Sequence, residues 1–347
     1  MSTDLASATK PASDMMWAFL VHFGFNSWYD TPLSEAPADA RPHYKTRCRA
    51  DFARFDEEMW REMSAKLPAA GVNTVVIDVA EIVKYPRRPE LAVKGSWEPR
   101  KMQSEIRRLR SMGMEVIPKL NFSAAHDSWL KDYHRMLSTK PYYEVCSDVI
   151  KDAIEIFTVD GKAPRYFHLG YDEETAPHQS DDRYRMAIIR QGDLWWHDFL
   201  WFNKQVEDLG ARTWIWADYI WKHREEFEKR MPRSVLMSNW YYAREFDVSK
   251  IENEFTKKRV LSYEWLDKAG FDQVPCGSNC AKMGTAENMT HTVRHCMDKL
   301  DPNKLKGFLL APWSRQVPEY HFQNVGANAA MADGIRVYNE ILAKRKG

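Results

Sequence analysis

The sequence predicts an α/β protein folded as a single (β/α)8 TIM barrel. Three observations carry this reading. From residue 71 onward, short apolar runs alternate with amphipathic stretches, the pattern of parallel strands joined by crossover helices. Each short run stops at polar or aromatic residues. No linker rich in Pro, Gly or Ser and no internal repeat divides the 347 residues, so one closed barrel fits better than two domains.

The candidate strands are Trp17–Phe23, Thr74–Val79, Glu115–Leu120, Tyr166–Leu169, Arg212–Trp216, Val235–Asn239, Arg259–Tyr263 and Lys306–Ala311. The 11-residue run from Met15 to Phe25 is too short for a membrane span and suits a buried first strand. Helices are expected over Met102–Met112, with Ile106 and Leu109 on one face, over Tyr142–Phe157, with Val145, Val149 and Ile156 at helical spacing, and near Asn328–Lys344. Residues 1–14 are small and polar and read as a loose arm on a barrel spanning 15–347. They show no charged-then-apolar leader, which leaves the compartment open between the cytoplasm and export with the leader removed.

Composition narrows the partners. Fifty basic against forty-nine acidic residues give a net charge of +1, too weak a field to capture phosphate backbones, so nucleic acid is not expected as a partner. No apolar run approaches the ~20 residues of a membrane span. The five cysteines are widely spaced, and Cys276-Gly-Ser-Asn-Cys280 lacks the two-residue spacing of a zinc knuckle, so neither metal nor cofactor is expected. Of fourteen Trp, fifteen Tyr and sixteen Phe, the Trp exceed what a core requires, and flat rings with polar edges suit sugars as well as cores.

In such a barrel, chemistry sits at the carboxyl ends of the strands. The residues expected there are Asp78 and Glu81, then Asn121 and His126, Asp172 and Glu173, Trp216 and Asp218, Asn239, Trp240 and Tyr241, Glu264, Trp265 and Asp267, and finally Trp313 and Arg315. The densest stretch is Tyr166-Phe167-His168-Leu169-Gly170-Tyr171-Asp172-Glu173-Glu174, which delivers adjacent carboxylates where a short strand stops. Neighbouring strand residues face opposite ways, so both acids enter one pocket only if the chain bends, and Gly170 permits the bend.

These residues resemble the β-N-acetylhexosaminidases of glycoside hydrolase family 20. The fourth-strand signature of that family, His, apolar, Gly, Gly, Asp, Glu, is matched by His168-Leu169-Gly170-Tyr171-Asp172-Glu173. Its third-strand pattern is matched by the run from Gly113 to His126, with Asn121 in the place of an Asp and His126 in that of a His. Coverage is good from about residue 71 to 175. The resemblance implies an exo-acting, retaining, substrate-assisted hydrolase of a carbohydrate substrate. Glu173 would be the general acid, Asp172 would orient a 2-acetamido group, His126 would relay to the acid, and Trp240, Trp265 or Trp313 would wall the pocket. His168, Tyr171, Trp216, Asp218, Tyr263 and Asp78 complete the expected substrate-binding set. Asn26 and Trp28 stand where the family has a sugar-gripping Arg on its first strand. Three departures are Tyr171 for a Gly, Asn121 for an Asp, and Arg315 near where the eighth strand often presents Glu. Two further readings remain open: a two-carboxylate glycosidase using Glu173 with Asp218 or Glu264 on a sugar without the acetamido group, and a retired barrel that only binds carbohydrate.

Overall fold

The computed structural model describes residues 14–25, 27–175, 186, 188–280 and 286–346. The proposed arm at 1–14 therefore falls almost wholly outside the described residues, as does Asn26.

Eight parallel strands form the barrel: β1 (Met16–His22), β2 (Thr74–Asp78), β3 (Glu115–Lys119), β4 (Tyr166–His168), β5 (Arg212–Trp216), β6 (Leu236–Ser238), β7 (Cys276–Gly277) and β8 (Gly307–Leu310). Their order is β6-β5-β4-β3-β2-β1-β8-β7. The two ends of this sheet meet through bridges Met237 to Gln273 and Trp240 to Cys276, where the amides of Val274 and Cys276 donate to the carbonyls of Met237 and Asn239 at 2.8 and 2.9 Å. Closure removes both sheet edges. The strands are mainly apolar because the barrel interior covers one face and the helices the other, and Ala18 to Val21 are fully buried.

Among the described residues, eight helices of seven residues or more pack outside: α1 (Glu57–Lys66), α2 (Pro99–Ser111), α3 (Lys140–Phe157), α4 (Asp193–Asp208), α5 (Arg224–Arg230), α6 (Glu254–Lys268), α7 (Asn288–Lys299) and α8 (His321–Lys346). Local chemistry sets their starts. Asp56 caps α1 by accepting from the Met59 amide at 2.8 Å, and Pro141 sits in the first turn of α3, where its missing N–H costs nothing. A short parallel pair, Tyr29–Pro32 with Cys48–Arg49, lies between β1 and α1.

One expected strand is a helix. Residues 259–263 lie inside α6, started by Asn253, whose Oδ1 accepts from the Thr256 amide at 2.9 Å. The apolar run that reads as a strand is the helix's inner face, with Val260, Tyr263 and Leu266 buried at three-residue spacing. The seventh strand is instead Cys276–Gly277, too short and too bare of β-branched residues to announce itself. The last helix also begins earlier than its periodicity suggests, at His321.

The carboxyl ends of β1 to β4 stand in register, with His22 opposite Asp78, Asp78 opposite Lys119 and Lys119 opposite His168. All four side chains are fully buried. The Lys119 Nζ donates to Asp78 Oδ2, leaving a compensated charge pair inside the barrel.

Barrel closure also requires a bare backbone at Gly307. A Cβ there would lie 2.1 Å from the Met16 carbonyl oxygen of the neighbouring strand. Gly307→Ala is expected to lower unfolding free energy by about 1–3 kcal/mol, the usual cost of overpacking, as read by denaturant titration.

Candidate active site

The site is built on the turn that follows β4. Residues Gly170, Tyr171 and Glu173 all have positive φ, of 71°, 72° and 55°. For Tyr171 and Glu173 this left-handed backbone costs roughly 1–3 kcal/mol each, so the surroundings must hold it. They do so from both sides. The Phe122 amide donates to Leu169 O and the Trp216 amide to Gly170 O, both at 3.0 Å. The Asn121 side chain lies under the bend, its Oδ1 accepting from the amides of Ser123 at 3.0 Å and Tyr171 at 3.2 Å. A Cβ on Gly170 would lie 2.1 Å from that oxygen, so close approach as well as φ demands glycine here. His168 Nδ1 accepts from the Gly170 amide at 3.0 Å, which puts the ring proton on Nε2. Burial and Lys119 hold that imidazole well below its usual pKa, so it stays neutral.

The bend brings the two adjacent carboxylates to one imidazole. His126 Nε2 lies 3.5 Å from Asp172 Oδ2 and 3.3 Å from Glu173 Oε2. Asp172 is further fixed by the Asn121 Nδ2, which donates to its Oδ1 at 2.9 Å, and by Ser123 Oγ, which donates to its backbone carbonyl. Only an amide at position 121 can accept from the turn and donate to an ionised carboxylate at once, so Asn121 suits this arrangement where an Asp would not. The two acids differ in access: the Glu173 side chain is 34% exposed, the Asp172 side chain 7%.

Electrostatics follow from this geometry. Burial pushes the His126 imidazole down, but the charge and hydrogen bond of Asp172, then those of Glu173, outweigh it and raise its pKa to about 9. Burial pushes Asp172 up, but His126, Lys119 and the Asn121 hydrogen bond hold it below the usual carboxylate range. Asp218 takes the opposite course: burial first, then the Asp172 charge, raise it to about 8 even though its Oδ2 accepts from the Glu173 amide at 3.0 Å. At neutral pH the mouth therefore holds an ionised Asp172, an imidazolium and a neutral Asp218. His126, Asp172 and Glu173 offer donor atoms within 4.8 Å of one another, a spacing a metal ion accepts. In the present arrangement His126 Nε2 faces both carboxylates as a donor.

A cluster of aromatic rings packs beside His126. The Trp28 ring lies 4.5 Å from His126 and 6.1 Å from Trp313, and Trp313 lies 5.5 Å from Trp216 and 6.3 Å from Tyr242. Trp240 stands beside Trp221 across a cavity of about 400 Å³ that Glu173 and Asp218 also line. Asp78 lies lower, sealed inside the barrel on Lys119, and His168 is buried between Trp214 and Trp216. Tyr171 borders the cavity, but its ring packs on Trp195, Phe199 and Phe202 and its hydroxyl accepts from Arg190. Tyr263 and Trp265 are not at the mouth. As α6 residues, Tyr263 is buried against Phe246 and His295, and Trp265 lies under the Arg224 guanidinium at 4.5 Å. Glu264 and Asp267 sit on the same helix, Glu264 paired with Lys268. Arg315 is buried just past β8, bridged to His22 through the backbone.

Sequence reasoning missed Lys119, Arg190 and Arg259. Lys119 had a signal, a charge inside an apolar parallel strand. Arg190 had none: it clamps Glu174 through Nε at 2.8 Å and Nη2 at 2.7 Å, donates to the Tyr171 hydroxyl at 2.8 Å and to Phe122 O at 2.7 Å, and is fully buried with its partners.

With this geometry in view, several solved structures similar to the chain are informative. The family 20 exo β-N-acetylglucosaminidase from Vibrio harveyi, in complex with N-acetylglucosamine, aligns over 96% of this chain and 58% of its own at TM-score 0.55 and 10% identity. Dispersin B aligns over 82% of this chain and 96% of its own at TM-score 0.53 and 13% identity. The chain shares its barrel fold with these family 20 proteins. The Streptomyces plicatus N-acetyl-β-hexosaminidase, in complex with Thio-NAglucal, aligns over 92% of this chain and 63% of its own at TM-score 0.53 and 11% identity. The chain thus spans about three fifths of the length of the Vibrio and Streptomyces proteins. No protein-family model and no curated protein matches it.

Arg190→Met leaves Glu174 and Asp198 charged and buried without their partner. The expected loss is about 3–5 kcal/mol of unfolding free energy, measured by denaturant titration at neutral pH.

Proposed function

We propose that the chain is an exo-acting glycoside hydrolase that acts on sugars bearing a 2-acetamido group, with retention and by substrate assistance. The observation that carries the reading is the His126 imidazolium held between a buried, ionised Asp172 and a more accessible Glu173 at the mouth of a family 20 barrel. Glu173 gives its proton to the glycosidic oxygen as the acetamido oxygen attacks the anomeric carbon and the glycosidic bond breaks. Asp172, kept ionised, accepts from the acetamido N–H and stabilises the oxazolinium-like positive charge that develops there. Water then opens the cyclised intermediate while the Glu173 carboxylate takes its proton. His126 positions both acids, and Trp28, Trp216 and Trp313 offer the sugar an apolar wall.

The two-carboxylate alternative is less well supported. Asp218, neutral below about pH 8, makes a poor nucleophile at neutral pH, and Glu264 lies on α6 away from the mouth. The barrel is proposed to occupy residues 15–347. Among the described residues, no helix is long and apolar enough to cross a membrane.

Glu173→Gln is expected to keep the fold and lower turnover of natural-type glycosides ~10²–10⁴-fold, with partial recovery on nitrophenyl glycosides, whose leaving group needs no proton. Asp172→Asn is expected to cost roughly 30- to 1000-fold in kcat/KM on N-acetyl sugars and much less on matched hydroxyl sugars. Equal losses on both sugars would point to the direct mechanism, and sugar binding without turnover to a retired barrel. Catalysis should also fall as pH rises through about 8 to 9. Asp218 and His126, both raised above their ordinary values, lose their protons there, so Asp218 gains a negative charge beside Asp172 and the positive charge on His126 disappears. In Asp218→Asn, the alkaline limb of the kcat/KM profile should retain only the step near 9.

A further inference from the structure

The cavity of about 400 Å³ beside Glu173 contains a cation that the hydrolytic scheme does not use. Arg259, on the inner face of α6, projects its guanidinium into a cage of rings, 4.4 Å from the Trp240 centroid, 4.7 Å from Trp221 and 5.6 Å from Tyr241. The cage is braced. Trp221 Nε1 donates to Asn239 Oδ1 at 2.9 Å, and Asn239 Nδ2 donates to the Arg259 carbonyl at 2.9 Å, tying helix and strand end together. Among the described residues, no carboxylate or carbonyl accepts from the guanidinium, and its Nε is buried without a partner. Stacked on rings rather than paired with an acid, the guanidinium keeps its fork of donors for an anion that enters the cavity.

The charges around it point the same way. Of the three acids lining the cavity, Glu174 is bound by Arg190, Asp218 carries its proton at neutral pH, and Glu173 is the proton donor of the proposed scheme. Lys222 adds a second cation at the cavity wall, with its Nζ 5.6 Å from the Phe255 ring. A neutral sugar would satisfy the rings but not the fork of N–H donors.

We propose that this cavity binds an oxyanion carried by the substrate, a carboxylate or a sulfate ester, through the Arg259 guanidinium. The inference rests on the glycosidase reading, since it assigns the anion to a sugar whose scissile bond reaches Glu173 on the same cavity wall. The planar fork offers two parallel donors to two oxygens, and the rings on which it stacks fix its plane in advance.

The test is calorimetric binding of N-acetylglucosamine, its 6-sulfate and the corresponding 2-acetamido uronic acid to the intact protein, with turnover of the matching aryl glycosides followed in parallel. At least one anionic sugar should bind about tenfold or more tighter than the neutral one, the yield of a charged, two-point hydrogen bond. Whichever of the sulfate and the uronate shows the preference identifies the source of the oxyanion. Arg259→Gln, shown to be folded by its melting curve, should bring the anionic and neutral sugars to within about threefold of each other. Arg259→Lys, which keeps the charge but loses the fork, should retain part of the preference. Equal binding of all three sugars to the parent protein, or a preference that survives in folded Arg259→Gln, would overturn the proposal. An anionic preference lost in Arg259→Gln without turnover of any glycoside would uphold it and overturn the hydrolase reading instead, whereas turnover with no anionic preference would do the reverse.

Discussion

The site depends on a backbone that does not hold itself. Between Gly170 and Glu173 the chain takes a left-handed path that L-residues avoid, and without it Asp172 and Glu173 would leave the strand on opposite faces. The conformation persists because independent hydrogen bonds converge on it: Asn121 and Ser123 from the β3 side, Trp216 and Asp218 from the β5 side, and Arg190 from behind. Local strain at the carboxylates is thus offset by the rigid barrel around them, an arrangement expected of a site that must present charges in a fixed pose.

The same scaffold sets protonation. The carboxylates meeting near the mouth are of similar chemistry, yet burial and neighbours separate them: Asp172 is held ionised by His126 and Lys119, while Asp218 is kept neutral by burial and by the Asp172 charge. Pairs of titratable groups driven apart in this way mark acid and base roles more sharply than residue identity does. Lys119 acts at a distance, from within the barrel, and its charge is in turn compensated by Asp78.

How much of this could be read from the sequence varies with how local the cause is. Seven of the eight barrel strands are visible as apolar runs because each strand is buried on both faces, and the carboxylate turn is visible because its glycine and its acids are contiguous. The seventh strand is not, since two residues, Cys276 and Gly277, take their extended form from neighbours on both sides rather than from their own preference. Arg-Val-Leu-Ser-Tyr at 259–263 looks like a strand for the converse reason: the cap at Asn253 and the burial of every third residue outweigh the look of a short apolar run ending in Tyr263. That misreading sent Tyr263 and Trp265 to the mouth and hid Arg259, whose side chain does reach it. Arg190 could not be read at all, because its partners Glu174, Tyr171, Phe122 and Asp198 are gathered only by the fold.

The full burial of His22, Asp78, Lys119 and His168 has a further consequence. Dissolved ions weaken an interaction only when they can gather around the charges, as they can for surface pairs such as Lys66 with Glu62, whose side chains are about half exposed. No such atmosphere can form around the Lys119–Asp78 pair, so its contribution to the field at Asp172 is set by the barrel alone. That part of the tuning of Asp172 is therefore far less sensitive to salt than a surface ion pair is.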